Sequence, residues 1–406
     1  MTVMTKDVLF ALTKGAMMPQ AETLEVSKSK NQIFIGIPKE IAFQENRVPL
    51  VPDAVALLVN NGHRVCMERG AGLAAHFSDH EYSEAGAELT DSPKAVYKAD
   101  LIIKIAPPTL EEIEYMQPRQ TLLSALQLTV QPEDFLRKLI RKRAHSVAFD
   151  LILDEAGIFP VIRAMGEIAG GASITIAAEL LSNVNQGMGS VLGGISGISP
   201  TEVVIIGAGT VGEFAARAAL GLGATVKVFD RSTSRLRRLQ SQLGARVFTS
   251  VIIPKVLEKH LKTADVAIGA LRASEGRTPC VVTESMVREM KTSAVIIDVS
   301  IDQGGVFETS EVTNHTNPVF RKHDVIHYGV PNINSRVART ASYALSNILS
   351  QVVINMGNEG GFEGLIRKDS GFRNGVYLLN GSVTNSFLAE SFNLPYKDIH
   401  LLMAAM

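Results

Sequence analysis

From Ile33 onward the chain alternates short apolar runs with stretches of helical period. Ile33-Phe34-Ile35-Gly36-Ile37-Pro38 reads as a strand, Pro52 to Asn60 as a helix and Arg64-Val65-Cys66-Met67-Glu68 as the next strand. Leu101 to Ile105 and Thr121 to Leu126 extend this unit, with Pro107-Pro108 stopping the first of the two. A long helix rich in small residues is expected from Pro160 to Asn183, followed by a Gly-rich segment, Gly187 to Gly197, that reads as a domain hinge. A second alternation then begins, with strands at Glu202 to Ile206, Thr225 to Phe229, Val247-Phe248, Val266 to Ala270 and Ala294 to Val299. Such an order implies parallel sheets covered by helices on both faces, hence two doubly wound α/β domains separated by a cleft. Helical period resumes at Ala341 to Met356, and the first unit lacks a closing helix, so the C-terminal segment is expected to return to it. The expected division is an arm at 1–30, a substrate domain from 31–159 and 336–406, and a dinucleotide-binding domain at 160–335.

Composition narrows the function. Among 406 residues, 40 Lys+Arg nearly balance 41 Asp+Glu, so no basic excess points to nucleic acid. With 46% hydrophobic residues the chain is that of a globular protein, and no run of about twenty apolar residues predicts a membrane span. Cys66 and Cys280 are far apart and form no Cys-x-x-Cys, which argues against a disulfide framework or a zinc site and for a reducing, cytoplasmic location.

The most informative local pattern is Gly207-Ala208-Gly209-Thr210-Val211-Gly212, placed directly after an apolar strand and at the start of a helix. Gly207 allows the tight turn, Gly209 lets the backbone approach a pyrophosphate, and Gly212 lets helix pack on strand, while the helix N-terminus, with Thr210 and Val211, faces the anion. Asp230 ends the next strand about twenty residues on, where its carboxylate can accept from both ribose hydroxyls. This predicts a Rossmann-like domain that takes NAD, since Asp230 would repel a 2′-phosphate; Arg231 and Arg235 keep NADP use open. The alternative is a plain β-α turn with Asp230 capping the following helix.

Four stretches taken together resemble one family, the alanine dehydrogenases and the soluble NAD-binding part of proton-translocating transhydrogenase. They are Ile35 to Glu40 followed by Glu45-Asn46-Arg47-Val48; Glu68 to Gly72; Met165 to Gly170; and Ile297 to Gly305. The resemblance spans roughly residues 33 to 400, and the Ile301-Asp302-Gln303-Gly304-Gly305 form is similar to the alanine dehydrogenase branch. It implies L-alanine, NAD and water going to pyruvate, NADH and ammonium in a cleft between two domains. It also implies Arg47 as the carboxylate clamp, Asp302 as the acidic residue beside nicotinamide and substrate, and Asn332 in the nicotinamide-side loop, while Asp298, four residues before Asp302 on the same strand, reads as structural. A homo-oligomer, dimer or hexamer, is expected from the resemblance and from the small-residue helix face Ala172 to Leu181, which offers a flat packing surface.

Two positions depart from the family pattern. Ala106 stands where a lysine is usual, and Gln127 where a titrating histidine is usual. Lys104, two residues before Ala106 on the same strand face, is the candidate replacement, with Gln127 orienting a carbonyl. His327 and His76 are further candidates for the proton step, with a hydrogen-bonded structural histidine as the simpler reading of each. Two other functions stay open: an NAD-binding regulatory protein without turnover, and a soluble transhydrogenase-type subunit.

Overall fold

The computed structural model describes residues 31–126, 132, 134–272 and 277–404. The 1–30 arm and Gln127 lie outside the described residues. In the first sheet run β1 (Phe34–Ile37), β2 (Arg64–Glu68), β3 (Glu88–Thr90), β4 (Leu101–Ile103), β5 (Thr121–Ser124) and β6 (His145–Ala148). In the second run β7 (Glu202–Ile206), β8 (Thr225–Asp230), β9 (Phe248–Val251), β10 (Val266–Gly269), β11 (Val295–Asp298), β12 (Val319–Lys322) and β13 (Val325–Tyr328). The C-terminal segment supplies β14 (Val376–Leu379) and β15 (Ser382–Val383) to the first sheet.

The sheet orders are β15-β14-β6-β5-β4-β1-β2-β3 and β12-β13-β11-β10-β7-β8-β9. Both are doubly wound, with their order reversing beside the first strand, between β1 and β4 in one and β7 and β10 in the other. Buried interior strands explain the apolar runs: Val203, Val204, Ile205 and Ile206 are all fully enclosed, because helices cover both faces. Sequence pattern missed the antiparallel edges, where β12 pairs β13 and β14 pairs both β6 and β15. β13 and β14 are buried throughout, so nothing in their residues marks the antiparallel partner at the edge.

Three expectations are revised. The Gly187 to Gly197 segment is not where the chain crosses between sheets. It folds back on the end of the preceding helix, the Gly187, Gly189 and Ser190 amides donating to the Ser182 and Leu181 carbonyls. The chain crosses outward along a helix, α1 (Pro160–Leu181), which starts in the first core at Val161 and ends in the second at Leu181. It returns through the 3-10 turn Ile333–Val337, whose Ile333 lies in the second core, to α2 (Ala338–Asn358), which buries Leu345, Leu349 and Val353 against the first sheet. Although α1 is long and apolar enough to cross a membrane, Ala172, Ile174, Ile176, Ala177 and Leu181 are buried in the protein's own core. The same burial revises the expected packing face between copies: Ala172 to Leu181 is covered within one chain, where Gly170 lets α1 come so close to the helix Thr210–Gly221 that a Cβ would meet the Val211 carbonyl oxygen. Finally, Asp302 does not lie on the strand that carries Asp298. The chain leaves β11 at Asp298, and Asp302 sits in a separate 3-10 turn, Ile301–Gln303.

Candidate functional site

The dinucleotide turn follows from two close contacts. Gly207 has φ +124°, a left-handed value that only glycine adopts freely, and a Cβ on Gly212 would lie 1.8 Å from the Gly207 carbonyl oxygen. Open space surrounds Gly209, which precedes the helix Thr210–Gly221, so backbone amides and helix N-terminus are presented to a ligand. Asp230 is buried at the end of β8, accepting from the Ala208 amide at 2.7 Å and the Ser232 amide at 2.8 Å. Ser232, not Asp230, caps the next helix, so the carboxylate fixes the turn and keeps a second lone pair on each oxygen for ribose hydroxyls. Arg231 is exposed, and Arg238 reaches the Ala208 carbonyl at 3.4 Å. These residues fit NAD. Asp230→Ser is expected to weaken NADH binding by about 1.5–3 kcal/mol, the range for a lost charge-assisted bond, and to narrow the gap between NADH and NADPH in a fluorescence titration.

On the facing domain, Arg47 lies in the loop after β1, its side chain 11% exposed. Its Nε donates to Glu45 Oε1 at 2.7 Å and its Nη2 to Glu45 Oε2 at 2.6 Å, while Nη1 meets only the soft Met165 Sδ at 3.5 Å. Burial works against the guanidinium charge, but Glu45 outweighs it and Arg47 is held above its ordinary range. Glu45 also accepts from Asn332 Nδ2 at 3.0 Å, so the expected nicotinamide-side Asn332 ties this loop to the other domain. Further stitches cross the same junction: Ser335 Oγ accepts from the Asn46 amide at 2.8 Å, and Gln44 pairs with the His315 amide and the Thr316 hydroxyl.

Lys104 is placed differently from expectation. It is 1% exposed, and its Nζ is 2.5 Å from Glu112 Oε1 and 3.8 Å from Glu40 Oε2. Its ammonium is thus committed to buried carboxylates rather than free to replace the lysine missing at Ala106. Glu40 accepts from the Ile105 amide at 2.5 Å and the Ala106 amide at 3.4 Å, and burial pushes its carboxyl up to about 7 although Lys104 pulls the other way. Sequence reasoning assigned roles to none of Glu40, Glu45 and Glu112. The first two lie inside the quoted motifs, whereas Glu112 carried no signal.

Asp302 keeps solvent-exposed atoms, yet the surrounding protein desolvates its carboxyl and raises it, with Arg272 opposing the shift. Asp298 is structural: it accepts from the Ser300, Val306 and Phe307 amides and from Ser310 Oγ. His327 is also structural, buried with Nε2 at 2.8 Å from Thr309 Oγ1 and Nδ1 at 3.0 Å from the Val325 carbonyl, and burial lowers it to about 4. His76 is exposed, closing a 3-10 turn in a left-handed conformation. Among the described residues no group of His, Cys, Asp and Glu could hold a metal ion.

Residues 36–169 match the model of the alanine dehydrogenase/PNT N-terminal domain and residues 173–386 that of the C-terminal domain. The chain belongs to the alanine dehydrogenase/PNT family. A curated relative, the alanine dehydrogenase of Staphylococcus saprophyticus, is 38% identical over 368 residues, covering 90% of this chain and 99% of the relative. Alanine dehydrogenase 2 of Staphylococcus aureus is 38% identical over 366 residues, 90% and 98% of the two chains. A solved L-alanine dehydrogenase superposes with a TM-score of 0.83 at 35% identity, over 89% of this chain and 99% of the other. A transhydrogenase from Sinorhizobium meliloti shares the fold, with a TM-score of 0.74 at 22% identity over 86% of this chain and 98% of its own. As a member of this family, the protein is an NAD-dependent oxidoreductase of the alanine dehydrogenase type.

Proposed function

We propose that the protein converts L-alanine, NAD and water to pyruvate, NADH and ammonium. The observation that carries this substrate assignment is Arg47, a nearly buried guanidinium at the domain junction with two nitrogens fixed by Glu45 and Nη1 left for a small carboxylate. Bound NAD supplies the hydride acceptor. Around it, the glycine turn and Asp230 hold the dinucleotide, Arg47 orients the substrate carboxylate, and Asp302 holds a water or a ribose hydroxyl near the reacting carbon. Asn332 keeps Glu45, and through it Arg47, in register with the cofactor domain. Lys104 serves this reading as the buried counter-ion of Glu112 and Glu40, and Gln127 as a group that orients a carbonyl. Two free cysteines, Cys66 buried and Cys280 exposed, support a cytoplasmic location. We also propose a homo-oligomer, which sedimentation at micromolar concentration tests.

Absorbance of NADH, followed with a panel of L-amino acids and in reverse with pyruvate and ammonium, tests the reaction. Turnover on alanine is expected; NADH binding without turnover on any acid would establish the regulatory alternative instead. Arg47→Ala is expected to weaken pyruvate binding to the NADH complex by about 1.5–3 kcal/mol with NADH affinity nearly unchanged. Loss of both affinities together would make Arg47 structural.

A further inference from the structure

We propose that Asp150 is the proton-transfer residue of the cleft, doing the work that Gln127 cannot. This rests on the dehydrogenase reading above. Three placements carry it. Asp150 lies in the 3-10 turn Phe149–Leu151, just past the C-terminal end of β6, the sheet edge where doubly wound folds bind ligands. Parallel register pairs Ser124 of β5 with Ala148 of β6, which sets Leu126, the residue before Gln127, beside Asp150, and the Leu126 amide bonds toward its carboxylate. Across the cleft, the Arg272 guanidinium after β10 acts on both Asp150 and Asp302, so the three stand at one junction between the domains.

The carboxyl is also unfinished. Its Oδ1 is buried and has no hydrogen-bond partner among the described residues, an expensive state for an acceptor that serves only packing. Burial raises the acid, while the Leu126 amide, its own amide and Arg272 favour the anion. From β14, Tyr377 faces it as a phenol that burial keeps protonated. These opposed influences leave a group able to take and return a proton.

In the reaction, hydride loss from alanine to NAD leaves an iminium on the substrate. Asp150 carboxylate takes a proton from water as the oxygen bonds to that carbon, giving the neutral carbinolamine. The acid then returns the proton to nitrogen, the C–N bond breaks as the hydroxyl electrons form C=O, and Asp150 removes the hydroxyl proton and passes it to ammonia. Iminium and water thus become pyruvate and ammonium, with Asp150 unchanged.

The test is the pH profile of kcat/KM for alanine oxidation in wild type, Asp150→Asn and Asp150→Glu, with NADH affinity and melting temperature measured beside it. Wild-type kcat/KM is expected to rise with pH through one ionisation above the usual aspartate range. Asp150→Asn is expected to lose about 10²–10⁴ in kcat, the usual size for a positioned proton-transfer group, to lose that limb, and to keep NADH affinity within twofold. Asp150→Glu is expected to keep activity within tenfold with the limb displaced. Should Asp150→Asn turn over within threefold of wild type on the same profile, or fail to fold while the Asp150→Glu profile coincides with wild type, the assignment is overturned. A wild type inactive on every amino acid overturns the dehydrogenase reading as well, which separates the two failures.

Discussion

Lys104→Met is expected to destabilise the protein by about 3–5 kcal/mol, the cost of leaving a buried charge without its partner. Glu112 is 6% exposed, and losing Lys104 would leave its carboxylate only the Tyr97 hydroxyl at 3.1 Å and the Thr109 amide at 2.8 Å. Thermal unfolding checks this, and Lys104→Met combined with Glu112→Gln is expected to recover much of the loss, because it removes the stranded anion. A catalytic amine would behave oppositely: its removal would spare the melting temperature and abolish turnover. The single variant therefore decides between the sequence expectation for Lys104 and the buried pair seen here.

Glu40 predicts a pH dependence of stability. Its carboxyl is raised from an ordinary value of 4.5 to about 7, chiefly by burial, with Glu45 adding to the shift and Lys104 and the Ile105 and Ala106 amides opposing it. Between those values the native state holds a proton that the unfolded chain has released, so stability falls as pH rises. The contribution is fully present below about 4.5, and about 3 kcal/mol, in order of magnitude, is lost by the time pH has passed 7. Melting temperature is thus expected to decline between pH 5 and 8 in wild type and to stay level over that window in Glu40→Gln, whose side chain cannot ionise. Parallel profiles for the two proteins would show that Glu40 titrates normally.

What could be read from the sequence was what local geometry alone dictates. Gly207, Gly209 and Gly212 are fixed by a turn of a few residues, and Asp230 by the strand that follows, so their positions were legible without knowing any distant contact. The β7 strand was legible because both its faces are buried, which leaves the apolar run Val203 to Ile206, and β8 because Val226, Val228 and Phe229 lead into Asp230. Lys104 was misplaced because its direction is set by Glu112, which sits on another element and carries no spacing signature. The Arg47 pair with Glu45 was hidden for a different reason: residues two apart meet only if the intervening backbone turns, and here the loop after β1 is shaped by Ser335, Ser342 and Ser346, which accept from the Asn46, Val48 and Val51 amides. Those partners lie nearly three hundred residues away. Asp150 had no motif at all, only a place at a sheet edge.

The crossing helix constrains how the cleft can open. Because α1 runs from one core into the other and packs along α2 of the first domain, the domains are joined by one rod held on its neighbour and by one short turn, Ile333–Val337. A bend would have to break the rod. Sliding of α1 along α2 breaks nothing, and close-packed helices accommodate small sliding readily, so the motion this joint favours is shear. Each increment of such sliding is small, and it would part the Gln44, Asn46 and Glu45 stitches together, like the teeth of a latch.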